Sequence, residues 1–181
     1  MRTTITALIA VVCLGTCGAA FADSAPAGSV PTASKTCKNQ RSELGRTTFD
    51  ATYAANKNAK NALGKCIAKA TKQRDRAQTS ARSACKAEQQ DPNFAAAHGG
   101  KTFDQFYGTN KNGKNAFGKC VSAKARATVA ADSEAVVNAA HACKAERKAD
   151  PAAFKQKYGT NKHRSNAFGK CVAKAAAPAR S

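Results

Sequence analysis

A fifteen-residue segment written three times constrains this chain more than any other feature. Residues 53–67 read YAANKNAKNALGKCI, residues 107–121 read YGTNKNGKNAFGKCV, and residues 158–172 read YGTNKHRSNAFGKCV. Tyr and Cys stand thirteen residues apart in every copy. Cysteines and large side chains that return at fixed intervals point to a chain built from repeated supersecondary units.

The cysteines extend the pattern upstream. Each copy opens on Cys-Lys (Cys37-Lys38, Cys85-Lys86, Cys143-Lys144) and closes on Gly-Lys-Cys (Cys66, Cys120, Cys171). An even set of six in a small exported chain reads as a disulfide framework. Six cysteines allow fifteen pairings, and the copy boundaries favour Cys37–Cys66, Cys85–Cys120 and Cys143–Cys171. The rival scheme joins Cys66 to Cys85 and Cys120 to Cys143, leaving the two outer cysteines for each other. Each within-copy loop is worth about 3–4 kcal/mol in the chain-entropy model.

Export is read from the first 22 residues. Arg2 precedes an apolar run from Ile5 to Leu14, and Ala20-Phe21-Ala22 fits a small-x-small cleavage site. Cleavage after Ala22 would remove Cys13 and Cys17 and give a secreted or periplasmic protein. A lipoprotein anchored at Cys17 is the less favoured alternative, because Thr16 fits poorly before a lipidated cysteine. The run is too short to span a bilayer, and nothing later in the sequence is apolar enough to do so.

Composition would by itself describe a disordered chain. Lys and Arg number 30 against 11 Asp and Glu, a net charge of +19, or +18 without Arg2. Only about a tenth of the residues after position 22 are Leu, Ile, Val or Phe, below the ~20% at which high charge usually means disorder. The apolar fraction is mostly Ala, which favours helix but buries little area. The fixed spacing of the few large residues, together with the cystines, argues for a fold.

Helical spacing recurs within each copy. Phe49 and Tyr53, Phe103 and Tyr107, and Phe154 and Tyr158 are four apart and share a face. Asp150-Pro151 is a helix start, and Gly108 and Gly159 read as stops. A second helix is expected from Asn61, Asn115 or Asn166 as cap, carrying Leu63 and Ile67, Phe117 and Val121, or Phe168 and Val172 on one face. Residues 66–90 and 120–149 lack Pro and Gly and read as long Ala-rich helices, with a break suggested at Asp132-Ser133. Gly99-Gly100 marks a loop in an insertion special to the second copy. The expected fold is all-α: three disulfide-linked helical-hairpin repeats joined by Ala-rich helices. Expected boundaries are a signal peptide over 1–22, a flexible Ser/Ala/Pro spacer over 23–36, and units over 37–80, 81–131 and 132–181.

The Asn/Lys-rich connections carry the candidate site. Asn61, Asn115 and Asn166 would stand at helix starts, where free N–H groups and the helix dipole favour a phosphate or carboxylate. Beside them lie Lys57, Lys60 and Lys65; Lys111, Lys114 and Lys119; and Lys162, Arg164 and Lys170. The plainer reading is local: Asn suits turns and caps, and Lys keeps a loop solvated. Calcium is disfavoured because the Asn-Lys-Asn segment offers no carboxylate. A structural metal or haem is disfavoured because no Cys-x-x-Cys occurs and the three histidines occupy different places in their copies. No cofactor is expected. No grouping of acids, nucleophile and base recurs, so no enzyme is expected either.

These readings favour a non-enzymatic, exported, basic helical protein that binds an anionic polymer or surface. Envelope polymers, phospholipid head groups and extracellular nucleic acid are the candidate partners, and high charge steers all of them. The alternatives are a structural envelope or matrix protein without a specific ligand, or a membrane-active toxic protein.

Overall fold

The computed structural model describes residues 28–54 and 58–177. The leader, its cleavage at Ala22, Cys17 and the loop residue Lys57 lie outside the described residues. Within them the protein is all-α, with no strand. Its helices are α1 (Ala33–Tyr53), α2 (Ala62–Gln90), α3 (Phe94–Ala97), α4 (Phe103–Tyr107), α5 (Ala116–Ala149), α6 (Pro151–Tyr158) and α7 (Ala167–Ala175). The cystines are Cys37–Cys66, Cys85–Cys120 and Cys143–Cys171. All six half-cystines are buried.

The two long Ala-rich helices form the axis of the molecule. Cys85 of α2 is bonded to Cys120 of α5, while Gln73 Nε2 donates to Asp132 Oδ2 at 3.2 Å. Twelve residues back along one helix therefore match twelve forward along the other, so the pair is antiparallel. At about 1.5 Å per residue the 29 residues of α2 extend about 43 Å. Midway, the buried interface is Ala77 and Ala81 against Ala125 and Val129, with Val30 and Val121 packed over them. So small a contact stabilises little by area, and the weight falls on the two ends.

One end holds the main core, which the first and third segments share. Cys37, Leu44, Phe49, Cys66 and Ala70 pack with Val136, Ala140, Cys143, Phe154, Phe168, Cys171 and Val172. The other end has a separate core of Cys85, Phe94, Phe103, Tyr107, Ala116 and Cys120. Its cover comes from the insertion. Phe94 of α3 meets Phe103 edge-on at 5.5 Å and Phe106 at 5.8 Å, and His98 stacks on Phe94 at 3.9 Å. Gly99 and Gly100, at φ 63° and 81°, turn the chain back into α4, as expected of that loop. The Phe/Tyr pairs lie as the spacing predicts, with ring centroids 4.9, 5.0 and 4.9 Å apart.

Helix limits differ from the sequence reading in three places, each for a local reason. The stretch read as a spacer over 23–36 is helical from Ala33, because Thr32 Oγ1 accepts from Lys35 N and caps α1. Gly45, at φ 70° and ψ 157°, breaks α1 into two arms, so that Tyr53 folds back onto Gln40. The break expected at Asp132-Ser133 is absent and α5 runs through it. Both side chains are used across helices, Asp132 by Gln73 and Ser133 by Gln40, so neither competes for its own backbone. The start of α6 is as read: Asp150 Oδ1 accepts from Ala152 N and Ala153 N, and Pro151 leads the helix.

Candidate functional site

Each Asn/Lys connection follows a helix that ends on Tyr and leads into a helix that carries a half-cystine. The exit residues Ala54, Gly108 and Gly159 are extended, with φ between −66° and −74°. The glycines therefore do not serve as left-handed stops. Gly159 is required by space: a Cβ there would collide with Arg164 Cβ and sit 2.6 Å from the Lys155 carbonyl oxygen. The left-handed residue comes six positions after the Tyr instead. It is Ala59 at φ 55°, Gly113 at 62° and Arg164 at 50°. Its carbonyl accepts from the first helical N–H, that of Ala62, Ala116 or Ala167.

The three asparagines have nearly one backbone conformation, with φ from −96° to −89° and ψ of 1° or 2°. None caps its helix through the side chain, contrary to the sequence reading. Asn115 instead closes its own loop, accepting from Thr109 N at 3.0 Å and donating to Thr109 Oγ1 at 2.7 Å. Asn166 does the same with Thr160, at 3.1 and 2.7 Å. A side chain bonded twice to one Thr is a staple. Asn58 and Asn112 close smaller turns by accepting from Lys60 N and Lys114 N, both at 3.2 Å.

The cations are arranged differently. Lys60, Lys65, Lys111, Lys114, Lys119, Lys162, Arg164 and Lys170 are all exposed. Among the described residues, none of these eight takes part in an ion pair. The loops do not converge on one site. The first lies beside the third, since a Cβ on Gly169 would sit 3.0 Å from the Thr52 carbonyl oxygen. The second stands at the far end of the axis, about 28 Å away by the rise from Cys66 to Cys85.

Comparisons with protein families, with characterised proteins and with solved structures find no match for this chain. What it does must be argued from its own residues.

One recurring arrangement beneath the loops escaped the sequence reading. The Tyr107 hydroxyl donates to Glu88 Oε2 at 2.9 Å, and Lys124 Nζ holds the other carboxylate oxygen at 2.7 Å. Tyr158 donates to Glu146 Oε2 at 3.0 Å, and Lys157 Nζ holds Oε1 at 2.8 Å. In the first segment Tyr53 donates to Gln40 Oε1 at 2.6 Å, and Gln40 Nε2 reaches Ser133 Oγ at 3.0 Å. The acceptor is always three residues after the first cysteine of its segment. The signal was present as Cys-Lys-Asn-Gln once and Cys-Lys-Ala-Glu twice. Burial pushes the Tyr107 hydroxyl pKa up strongly, and the bond and charge of Glu88 add to it. The Lys157 hydrogen bond holds the Glu146 carboxyl below its ordinary range, aided by Tyr158 and opposed by partial desolvation.

Among the described residues, no group of three His, Cys, Asp or Glu could hold a metal ion. No described helix is long and apolar enough to cross a membrane. Three cystines are characteristic of an oxidising compartment, extracellular or periplasmic.

Proposed function

We propose that this is an exported, non-enzymatic basic protein that binds an anionic polymer or surface through the cations of its Asn/Lys loops. The observation that carries the reading is that these eight exposed loop cations make no ion pair among the described residues, while three acids pair with other cations. Glu88 is taken by Lys124, Glu146 by Lys157 and Asp50 by Arg46. The Asn residues hold the loops in shape, and the lysines present charge from that shape. A stapled loop loses less side-chain and backbone freedom on binding than a mobile one would.

The test compares two triple variants of equal charge. Lys111, Lys114 and Lys119 are changed to Gln in one; Lys35, Lys38 and Lys144, exposed and outside the loops, are changed in the other. Binding to polyanion-coated beads is followed across a salt series. The loop variant should lose clearly more affinity than the control at every salt concentration. Equal losses with equal salt slopes would mean long-range attraction alone, and the loop reading would fall.

A further inference from the structure

From Lys65, the last cation of the first loop, α2 carries a line of positive charge onward along the helix. Lys65, Lys69, Lys72 and Arg76 follow at intervals of four, three and four residues, which is one helical face. Lys86 lies about 80° around the helix from Arg76 and stands outside this line. Lys65, Lys72, Arg76 and Lys86 are exposed, and Lys69 lies half-buried with Nζ 5.8 Å from the centre of the Tyr53 ring. The face adjoins, but does not include, the buried line Cys66, Ala70, Ala77, Ala81 and Cys85. The exposed carboxylate of α2, Asp75, points about 100° away around the helix from Arg76.

We infer that this face seats a single extended polyol-phosphate chain, a phosphodiester polymer with a short carbon spacer between charges, laid along α2. The inference rests on the anion-binding reading and deepens it by naming the polymer and its track. Three features select that occupant. The line is about 17 Å long from Lys65 to Arg76 but one residue wide, which fits a thread better than a flat bilayer. From Lys65 to Arg76 its cations recur about every 5.5 Å, sparser than the charge every ~1.7 Å of duplex DNA. α2 itself carries no aromatic residue, and Tyr53 beside Lys69 is a single ring, so successive bases of a single strand would find no row of stacking platforms.

The experiment uses the full folded protein and glycerol-phosphate oligomers of two to ten units, with affinities measured by calorimetry. Affinity should climb with oligomer length until the chain covers the line, at about four units, and then level off. Changing Lys69, Lys72 and Arg76 to Gln should weaken binding of the eight-unit oligomer about tenfold and weaken the two-unit oligomer less. Lys69→Arg and Lys72→Arg, with Arg76 kept, should retain the affinity. Circular dichroism confirms that each variant is folded. A length-independent affinity, or a loss no larger than that of the Lys35, Lys38 and Lys144 variant, would overturn the inference. So would tighter binding, insensitive to these substitutions, to duplex DNA or phosphatidylglycerol vesicles. If only the Lys111, Lys114 and Lys119 variant is weakened, the loop reading stands and the α2 track does not.

Discussion

Tyr107, Glu88 and Lys124 form a chain of two hydrogen bonds at the edge of a core, and Tyr158, Glu146 and Lys157 form another. Tyr107→Phe leaves Glu88 one partner short and should cost about 1 kcal/mol in urea unfolding. For the Glu146 pair, pH gives a signed outcome. Its carboxyl pKa is lowered from 4.5 in the folded protein, so its contribution is complete above that value and disappears as pH falls through the folded one. The Lys157 pKa is raised above 10.5, chiefly by Glu146, so its share is present below that value and disappears as pH rises through the folded one. Melting temperature against pH should therefore fall on both sides, and Glu146→Gln should flatten both limbs. A variant with unchanged limbs would remove the pair from the account. The left-handed residues give a second prediction. Ala59 and Arg164 adopt a positive φ that Gly113 adopts freely, so Ala59→Gly should raise stability by up to about 1 kcal/mol.

Much of the element plan could be read before the structure, and the exceptions share a cause. The Phe/Tyr pairs, the cystine pairing, the Ala-rich helices and the Asp150-Pro151 start all depend on spacing or neighbours close in sequence. What could not be read depends on distant partners. Asp132-Ser133 resembles a break until Gln73 and Gln40 occupy both side chains. The asparagines resemble helix caps until Thr109 and Thr160 are seen to take them. For the site, the loop positions were legible, but the separation of the second loop from the other two was not, because only the antiparallel axis sets it. The kink at Gly45 is not legible in the sequence, because one Gly within a helical pattern gives no sign of its angles. At φ 70° and ψ 157° it occupies a region that only Gly visits readily. A Cβ there would meet nothing within 4 Å, so Gly45→Ala should cost about 1–3 kcal/mol through the backbone alone, read as a lower melting temperature. Phe94→Ala should cost about 3–5 kcal/mol at the far end. Hydrogen exchange should then quicken in α4 and at the start of α5, while α1 and α7 stay protected.

At the scale of the whole molecule, apolar surface is covered in two ways. The first and third segments cover each other, while the second covers itself with its insertion. Among the described residues no cystine crosses from one segment to another, so besides the peptide chain only packing and hydrogen bonds such as Gln40–Ser133 and Gln73–Asp132 hold the segments to each other. A protease cutting once in α2 near Ala77 would leave two pieces with no covalent bond between them. The shared core of Cys66, Phe49, Val136 and Phe168 lies well away from the cut. The nicked protein should therefore still elute as one particle on a sizing column, yet part into two bands on a denaturing gel without reductant. The pieces, mixed again after denaturant is removed, should find each other, so the molecule behaves as two complementary fragments that happen to share a chain.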